Sequence, residues 1–373
     1  MSDGNAHTNP IFNSNGLKLG TFCTNTVSAI TKAPELTEPT WKNMLAAARL
    51  ADGFGFEAIT PIARWKGYLD GAPDHKSNEI FEAFTFAAAV SQVTTHSAVF
   101  ATSHAPTLHP MAIAKMASSI DHMSGGRFAL NVVGGWNRRE FDMFGIDLLD
   151  HDERYAYLED WLSVLRRLWS GEEFDYQSPY FKMKGALAHP TPVQAKIPIM
   201  NAATSLTGMR FAARNSDIGF CTPRGDDPRA WKDEIAQYKA LALNEFGRKI
   251  QIWTNATVVL RDTVAEAQDY FNYFTGEAID RPAIDSLMNT MIRENGLDPS
   301  DPKVAFMRKR MSGGAGYPLL GDAQSIAEQL RQMAEAGIDG VMLSWVDYID
   351  GIDSFGRKVL PLLEDFGLRG AKS

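Results

Sequence analysis

Residues 97–133 read SAVFATSHAPTLHPMAIAKMASSIDHMSGGRFALNVV, and the period of the apolar positions changes twice along them. Residues 97–102 are small, β-branched or aromatic and suit a buried strand. Over 109–122 the apolar residues return at intervals of three and four, behind Pro110 as an early helical residue, which predicts a helix. Ser124-Gly125-Gly126 then breaks the run, and residues 128–133 are apolar again apart from Asn131. Strand, helix and strand in so short a stretch make one βαβ unit, whose two strands must lie parallel.

The same alternation extends in both directions. Upstream, strands are expected at 17–24 and 56–60 and helices at about 40–53 and 80–93, the first helix stopped by Gly53 and Gly55. A long connection through Asp70 and His75 follows the second strand and is a candidate site loop. Downstream, strands are expected at 197–200, 218–221, 250–260 and 340–345, with helices at 155–169, 206–215, 228–246, 323–336 and 352–366. Eight strands alternating with eight helices in 373 residues is what a single (β/α)8 TIM barrel requires. A doubly wound sheet has fewer strands and needs a nucleotide-binding glycine turn after its first strand, which this sequence lacks. Residues 263–321, after strand seven, are too long for one barrel unit and read as inserted helices ending in a mobile lid at SGGAG (312–316). The domain reading is a flexible N-terminus over 1–16 and one barrel over 17–373.

With 45 acidic against 37 basic side chains the net charge is −8, which gives no footprint for nucleic acid or an anionic membrane. No long apolar run predicts a membrane span, and the polar start lacks the pattern of an export signal. Cys23 and Cys221 are too few and too far apart for a disulfide framework or a zinc cluster, so a reducing, cytoplasmic location is expected.

In a barrel of this class the site lies at the C-terminal ends of the strands. Thr24, Thr60, Thr102, Asn131, Asn201 and Asn255 stand there, with His104 and Trp136 close by. The sequence has no His-Glu-x-x-His, no Cys-x-x-Cys and no cluster of ligands, so no protein-bound metal is expected. It also lacks a Gly-x-Ser-x-Gly elbow, and His104 has no carboxylate beside it in sequence, which disfavours hydrolase chemistry. What remains is a neutral pocket suited to a planar organic cofactor that carries the reactivity itself. NAATS (201–205) opens a helix, where backbone N–H groups favour a phosphate, although Thr204 or Ser205 fits a plain N-cap equally well. Arg154 at a helix start opposes the helix dipole and points to an anionic partner. His104 and Trp136 also fit structural roles, and Met288 and Met291, three apart, read as packing.

The run SSIDHMSGGRFALNVVGGW (118–136), followed by Glu140 and HDERY (151–155), resembles the bacterial luciferase-like flavin monooxygenases, in the branch that holds the pyrimidine, dimethylsulfone and alkanesulfonate monooxygenases. The likeness runs from residue 17 to the closing DSFGRKVLPL (353–362). It implies an FMNH2-dependent monooxygenase that takes reduced FMN from a separate NAD(P)H:flavin reductase and inserts one atom of O2 into a small-molecule substrate. A homodimer or homotetramer is implied as well. Flavin contacts carried over by motif are Ala63, Arg64, Asn131, Glu140, Arg154, Tyr155 and Ser205, and the catalytic pair that holds oxygen is Thr102 and Asn131. A hydroxyl and an amide there could orient dioxygen and stabilise the charge that develops on it, in a pocket kept dry by a lid. Where the alkanesulfonate enzymes place an arginine and a histidine on strand seven, this chain has Asn255 and Thr257. The implied substrate is therefore uncharged, a sulfone, an amide or an N-heterocycle cleaved at a carbon–heteroatom bond. Two alternatives stand beside this reading: a deazaflavin-dependent oxidoreductase that transfers hydride on the same barrel, and a non-catalytic flavin-binding protein, against which Thr102 and Asn131 argue.

Overall fold

The computed structural model describes residues 9–203 and 205–370, with Asn295 described by its backbone alone. In chain order its strands are β1 Lys18–Phe22, β2 Ala58–Thr60, β3 Ala98–His104, β4 Phe128–Val133, β5 Phe174–Gln177, β6 Lys182–Ala186, β7 Ile199–Ala202, β8 Ile218–Phe220, β9 Gln251–Leu260, β10 Tyr317–Gly321 and β11 Gly340–Ser344. Eight of these pair in parallel in the order β1, β2, β3, β4, β7, β8, β9, β11, and β11 returns to β1 with Lys18 opposite Gly340. The sheet is closed, so it is the (β/α)8 barrel that the alternation of periods predicts.

Local sequence explains the helices around it. Helix Trp41–Gly53 is capped by Thr40, whose hydroxyl accepts from the Asn43 amide, and it turns Met44, Ala47, Ala48 and Ala51 inward. The barrel interior is filled by Phe100, Met200, Ile218, Trp253 and Met342 among small alanines. Trp253 fits because a Cβ on Gly340 would lie 2.4 Å from its indole. Its Nε1 donates to Gln251, and Gln251 donates in turn to the Ile11 carbonyl, at 2.8 and 2.9 Å.

That last bond marks a departure from the flexible start expected over 1–16. Residues 1–8 lie outside the described residues, yet from Asn9 onward the chain is packed. Pro10–Phe12 forms one 3-10 turn, Ile11 is fully buried in the barrel floor, and Asn9 Nδ2 donates to the Phe128 carbonyl at 3.1 Å. The apolar pair Ile11-Phe12 in an otherwise polar stretch is the sequence signal for this plug. Nearby, the buried Glu57 carboxylate accepts from the Leu19 amide and from Asn13 Nδ2, and lies 2.7 Å from the buried Arg369 guanidinium. Arg369 also donates to the Leu17 and Gly55 carbonyls, so the last described turn of chain is tied to the first strand.

The insertion after strand seven contains helices Val264–Asn272, Arg281–Asn295 and Pro302–Ser312, joined through a π-helical turn at Tyr273–Glu277. It ends in β10, which pairs in parallel with the outer half of β9, Tyr317 opposite Ala256. The sequence reading did not include this ninth strand, nor the hairpin β5–β6, nor the short helix Arg138–Phe144. The glycines of 312–316 serve close approach: a Cβ on Gly316 would lie 2.7 Å from the Ala256 carbonyl carbon, and one on Gly314 2.6 Å from the Ser28 carbonyl oxygen.

Candidate functional site

At the C-terminal mouth of the barrel two chambers share a wall. The inner one, about 430 Å³, lies over β3, β4, β7 and β8 and runs from Thr102 and Asn131 to His151, Arg154, Tyr155 and Ser205. The outer one, about 390 Å³, lies between the loop after β2 and the inserted helices. Phe22, Ile62, Ala63, His104 and Trp136 border both. Of the residues singled out from sequence, Ala63, Thr102, Asn131, Arg154, Tyr155 and Ser205 line the inner chamber, whereas Arg64 and Glu140 line the outer one.

Thr102 and Asn131 stand opposite each other in the β3–β4 register, so the barrel itself sets their separation. Asn131 Nδ2 donates to Thr102 Oγ1 at 3.3 Å, and the Thr102 hydroxyl donates to the Pro61 carbonyl at 2.7 Å. The Thr102 proton is thereby committed to backbone, while Asn131 keeps a second N–H and a buried Oδ1 without a partner.

At the other end, Ser205 accepts from the Gly208 amide at 3.1 Å as the N-cap of helix Leu206–Asn215, and His151 Nε2 lies 3.1 Å from the same oxygen. Thr204, the other cap candidate, lies outside the described residues. Arg154 sits in the first turn of helix His151–Trp169; its Nη1 donates to the Gly135 carbonyl at 2.6 Å and its Nε is buried without a partner. Burial pushes the Tyr155 phenol above its ordinary range, so it stays neutral at physiological pH.

His104 has the carboxylate that its sequence neighbours do not provide. Helix Arg138–Phe144 brings the buried Glu140 to 3.4 Å from His104 Nδ1, and Glu140 also accepts from the Trp65 amide at 3.3 Å. Trp136 is 43% exposed at the junction of the chambers instead of lying in the core, Met288 is buried as packing, and Met291 borders the outer chamber. Asn255 and Thr257 line neither chamber, and the Thr257 hydroxyl donates to the Gly313 carbonyl at 2.5 Å. Burial pushes the thiols of Cys23 and Cys221 up to about 12, which removes thiolate chemistry at neutral pH. No group of metal ligands is assembled among the described residues.

The inner chamber fits a flavin in its donor set. Phe22, Leu158, Met200 and Phe220 provide apolar walls, and the partnerless Asn131 Oδ1, Asn201 Oδ1 and Arg154 Nε are buried polar atoms of the kind that a ring edge or a phosphate satisfies.

Residues 17–340 match the family described as luciferase-like monooxygenase. The pyrimidine monooxygenase RutA of Stutzerimonas stutzeri is 31% identical over 332 residues, 87% of this chain and 90% of that protein. RutA of Acinetobacter baylyi is 29% identical over 356 residues, 93% and 95% of the two chains. Among solved structures, DmoA from Hyphomicrobium sulfonivorans superimposes with a TM-score of 0.81 at 21% identity, covering 94% of this chain and 88% of that one, a likeness of fold. The motif, the closed barrel and matches of this extent lead to one conclusion: the chain belongs to the luciferase-like monooxygenase family.

Proposed function

We propose that this protein is a two-component monooxygenase that receives reduced FMN from a separate NAD(P)H:flavin reductase and oxygenates a small organic compound at a carbon–heteroatom bond. The observation that carries the reading is the layout of the inner chamber, with Thr102 and Asn131 in register at one end and Arg154 and Ser205 at a helix start at the other. Reduced flavin supplies the electrons that activate dioxygen for transfer of one oxygen atom to the substrate. The chain's own residues bind and orient. With FMN bound, Arg154 and the helix start at Ser205 would hold the phosphate, the stacked pair Phe22 and Phe220 would offer the ring an apolar wall, and the free N–H of Asn131 would be available to charge developing on oxygen. The inserted helices act as a lid that keeps water out. Two buried free thiols suit a reducing cytoplasm, and no helix among the described residues is long and apolar enough to cross a membrane.

The test is incorporation of labelled dioxygen into product, with FMN, a generic flavin reductase and NADH supplied. Hydride transfer from a reduced deazaflavin without uptake of oxygen would replace this reading with the rival one. The protein alone, given FMN and NADH, is expected to oxidise NADH no faster than free flavin does, because no dinucleotide fingerprint is present. Robust NADH oxidation without a reductase would overturn the two-component assignment.

Arg154→Ala should weaken FMN binding by about 1.5–3 kcal/mol, the value of a charge-assisted hydrogen bond. Ser205→Ala should weaken it too, but it also removes a helix cap worth about 1 kcal/mol, so its melting must be followed in parallel. An unchanged FMN titration in Arg154→Ala would remove the phosphate site.

A further inference from the structure

The outer chamber is more basic than the sequence reading anticipates. Arg64, Lys66 and Arg139 line it against one lining carboxylate, Glu140. Lys66 and Arg139 share a single partner, Asp70, the lysine at 2.9 Å. Glu140 accepts from the Trp65 amide through Oε1, and its Oε2 lies 3.4 Å from His104 Nδ1 without a hydrogen bond. That leaves Arg64, for which no carboxylate stands within ion-pair distance among the described residues. Its guanidinium is held 4.2 Å over the Tyr68 ring, and its Nη1 is buried without a hydrogen-bond partner. An oriented guanidinium without a counter-charge in a cavity is costly unless an anion comes to it. The facing wall is apolar, built from Ile30, Leu287, Met291 and Met311.

We propose that the outer chamber is the substrate site and that the substrate is a small organic acid, its carboxylate received by Arg64 and its apolar body laid against Leu287, Met291 and Met311. The planar fork of arginine matches a carboxylate with two parallel hydrogen bonds. The inference rests on the flavin reading of the inner chamber, since the shared wall at Phe22, Ala63 and Trp136 is what brings such a body beside the ring. It differs from the uncharged substrate expected from Asn255 and Thr257. Those residues speak only for β9 and line neither chamber, whereas the unpaired cation stands on the loop after β2. It also moves the Arg64 side chain from flavin contact to substrate contact.

The probes are benzoate and benzamide, alike in shape and different in charge at neutral pH, titrated calorimetrically into the purified protein without flavin and again with saturating FMN. Benzoate is expected to bind about tenfold or more tightly than benzamide and to keep that margin with FMN present. Arg64→Leu should abolish the margin and Arg64→Lys retain part of it. Lys249→Gln, beside a separate surface cavity, should leave it intact. FMN titration of Arg64→Leu is expected to stay close to that of the unaltered protein. Equal affinities, no binding of either probe, a margin that FMN abolishes or one that survives Arg64→Leu would each overturn the proposal. Failure of the unaltered protein to bind FMN would instead strike the flavin reading, and the flavin-free titration would still judge Arg64.

Discussion

Asn131→Ala is expected to cut oxygenated product by roughly a hundredfold or more while reduced flavin is still consumed and hydrogen peroxide accumulates in its place. Losing one preorganised donor at a developing oxyanion costs about 2.7–4 kcal/mol. Asn131 carries the larger share because its second N–H remains uncommitted, whereas the Thr102 proton already goes to the Pro61 carbonyl. Thr102→Val should uncouple less, by releasing the asparagine from its fixed orientation. A purely structural role predicts something else: two less stable proteins that remain coupled. Product and hydrogen peroxide measured together, per reduced flavin consumed, decide between these. A ratio unchanged in both variants would count against the oxygen site.

The largest effect on stability is expected far from the mouth. Arg369→Met leaves the fully buried Glu57 charge with hydrogen bonds but without its ion-pair partner, and breaking a buried pair from one side typically costs about 3–5 kcal/mol. The denaturation midpoint should fall accordingly, with activity per folded molecule unchanged. Adding Glu57→Gln should recover part of the loss, because the uncompensated charge is then gone. A single variant as stable as the parent, or a double variant that loses the sum of two single losses, would show that the pair is not what holds this end together.

Sequence periodicity served best where an element buries one continuous face. Helix Leu206–Asn215 and strand β4 have the boundaries expected of them, because Phe211, Ala212 and Ala213 in the one and the apolar run in the other leave little choice. It failed for helix Arg138–Phe144, which opens on two arginines and buries only Glu140 and Phe141, so no apolar period announces it. That omission hid the partner of His104, since the two residues meet only through helix placement. β10 was hidden differently. Its glycine-rich approach looks like a hinge until β9 is seen extending far enough to pair with it. The inner chamber was legible because strand ends in a barrel all point to one mouth; Thr102 and Asn131 are two of those ends, the resemblance is what singles them out as a pair, and the β3–β4 register sets them opposite each other. The charge of the outer chamber was not, because Arg64 and Asp70 come from one loop and Arg139 from a helix, and no spacing rule provides the distances between them.

The tie between Glu57 and Arg369 also bears on how this chain is made. Glu57 waits 312 residues for its cation, and β1 keeps one edge open until β11 arrives. At about 5–20 residues per second, a ribosome needs tens of seconds to cover that distance. Throughout that interval the nascent barrel is an unclosed sheet with exposed edges at both sides and a carboxylate destined for burial but still dependent on water. Vectorial folding from the N-terminus cannot finish this barrel piecemeal; its first strand is among the last to settle, because closure waits for β11 and for Arg369.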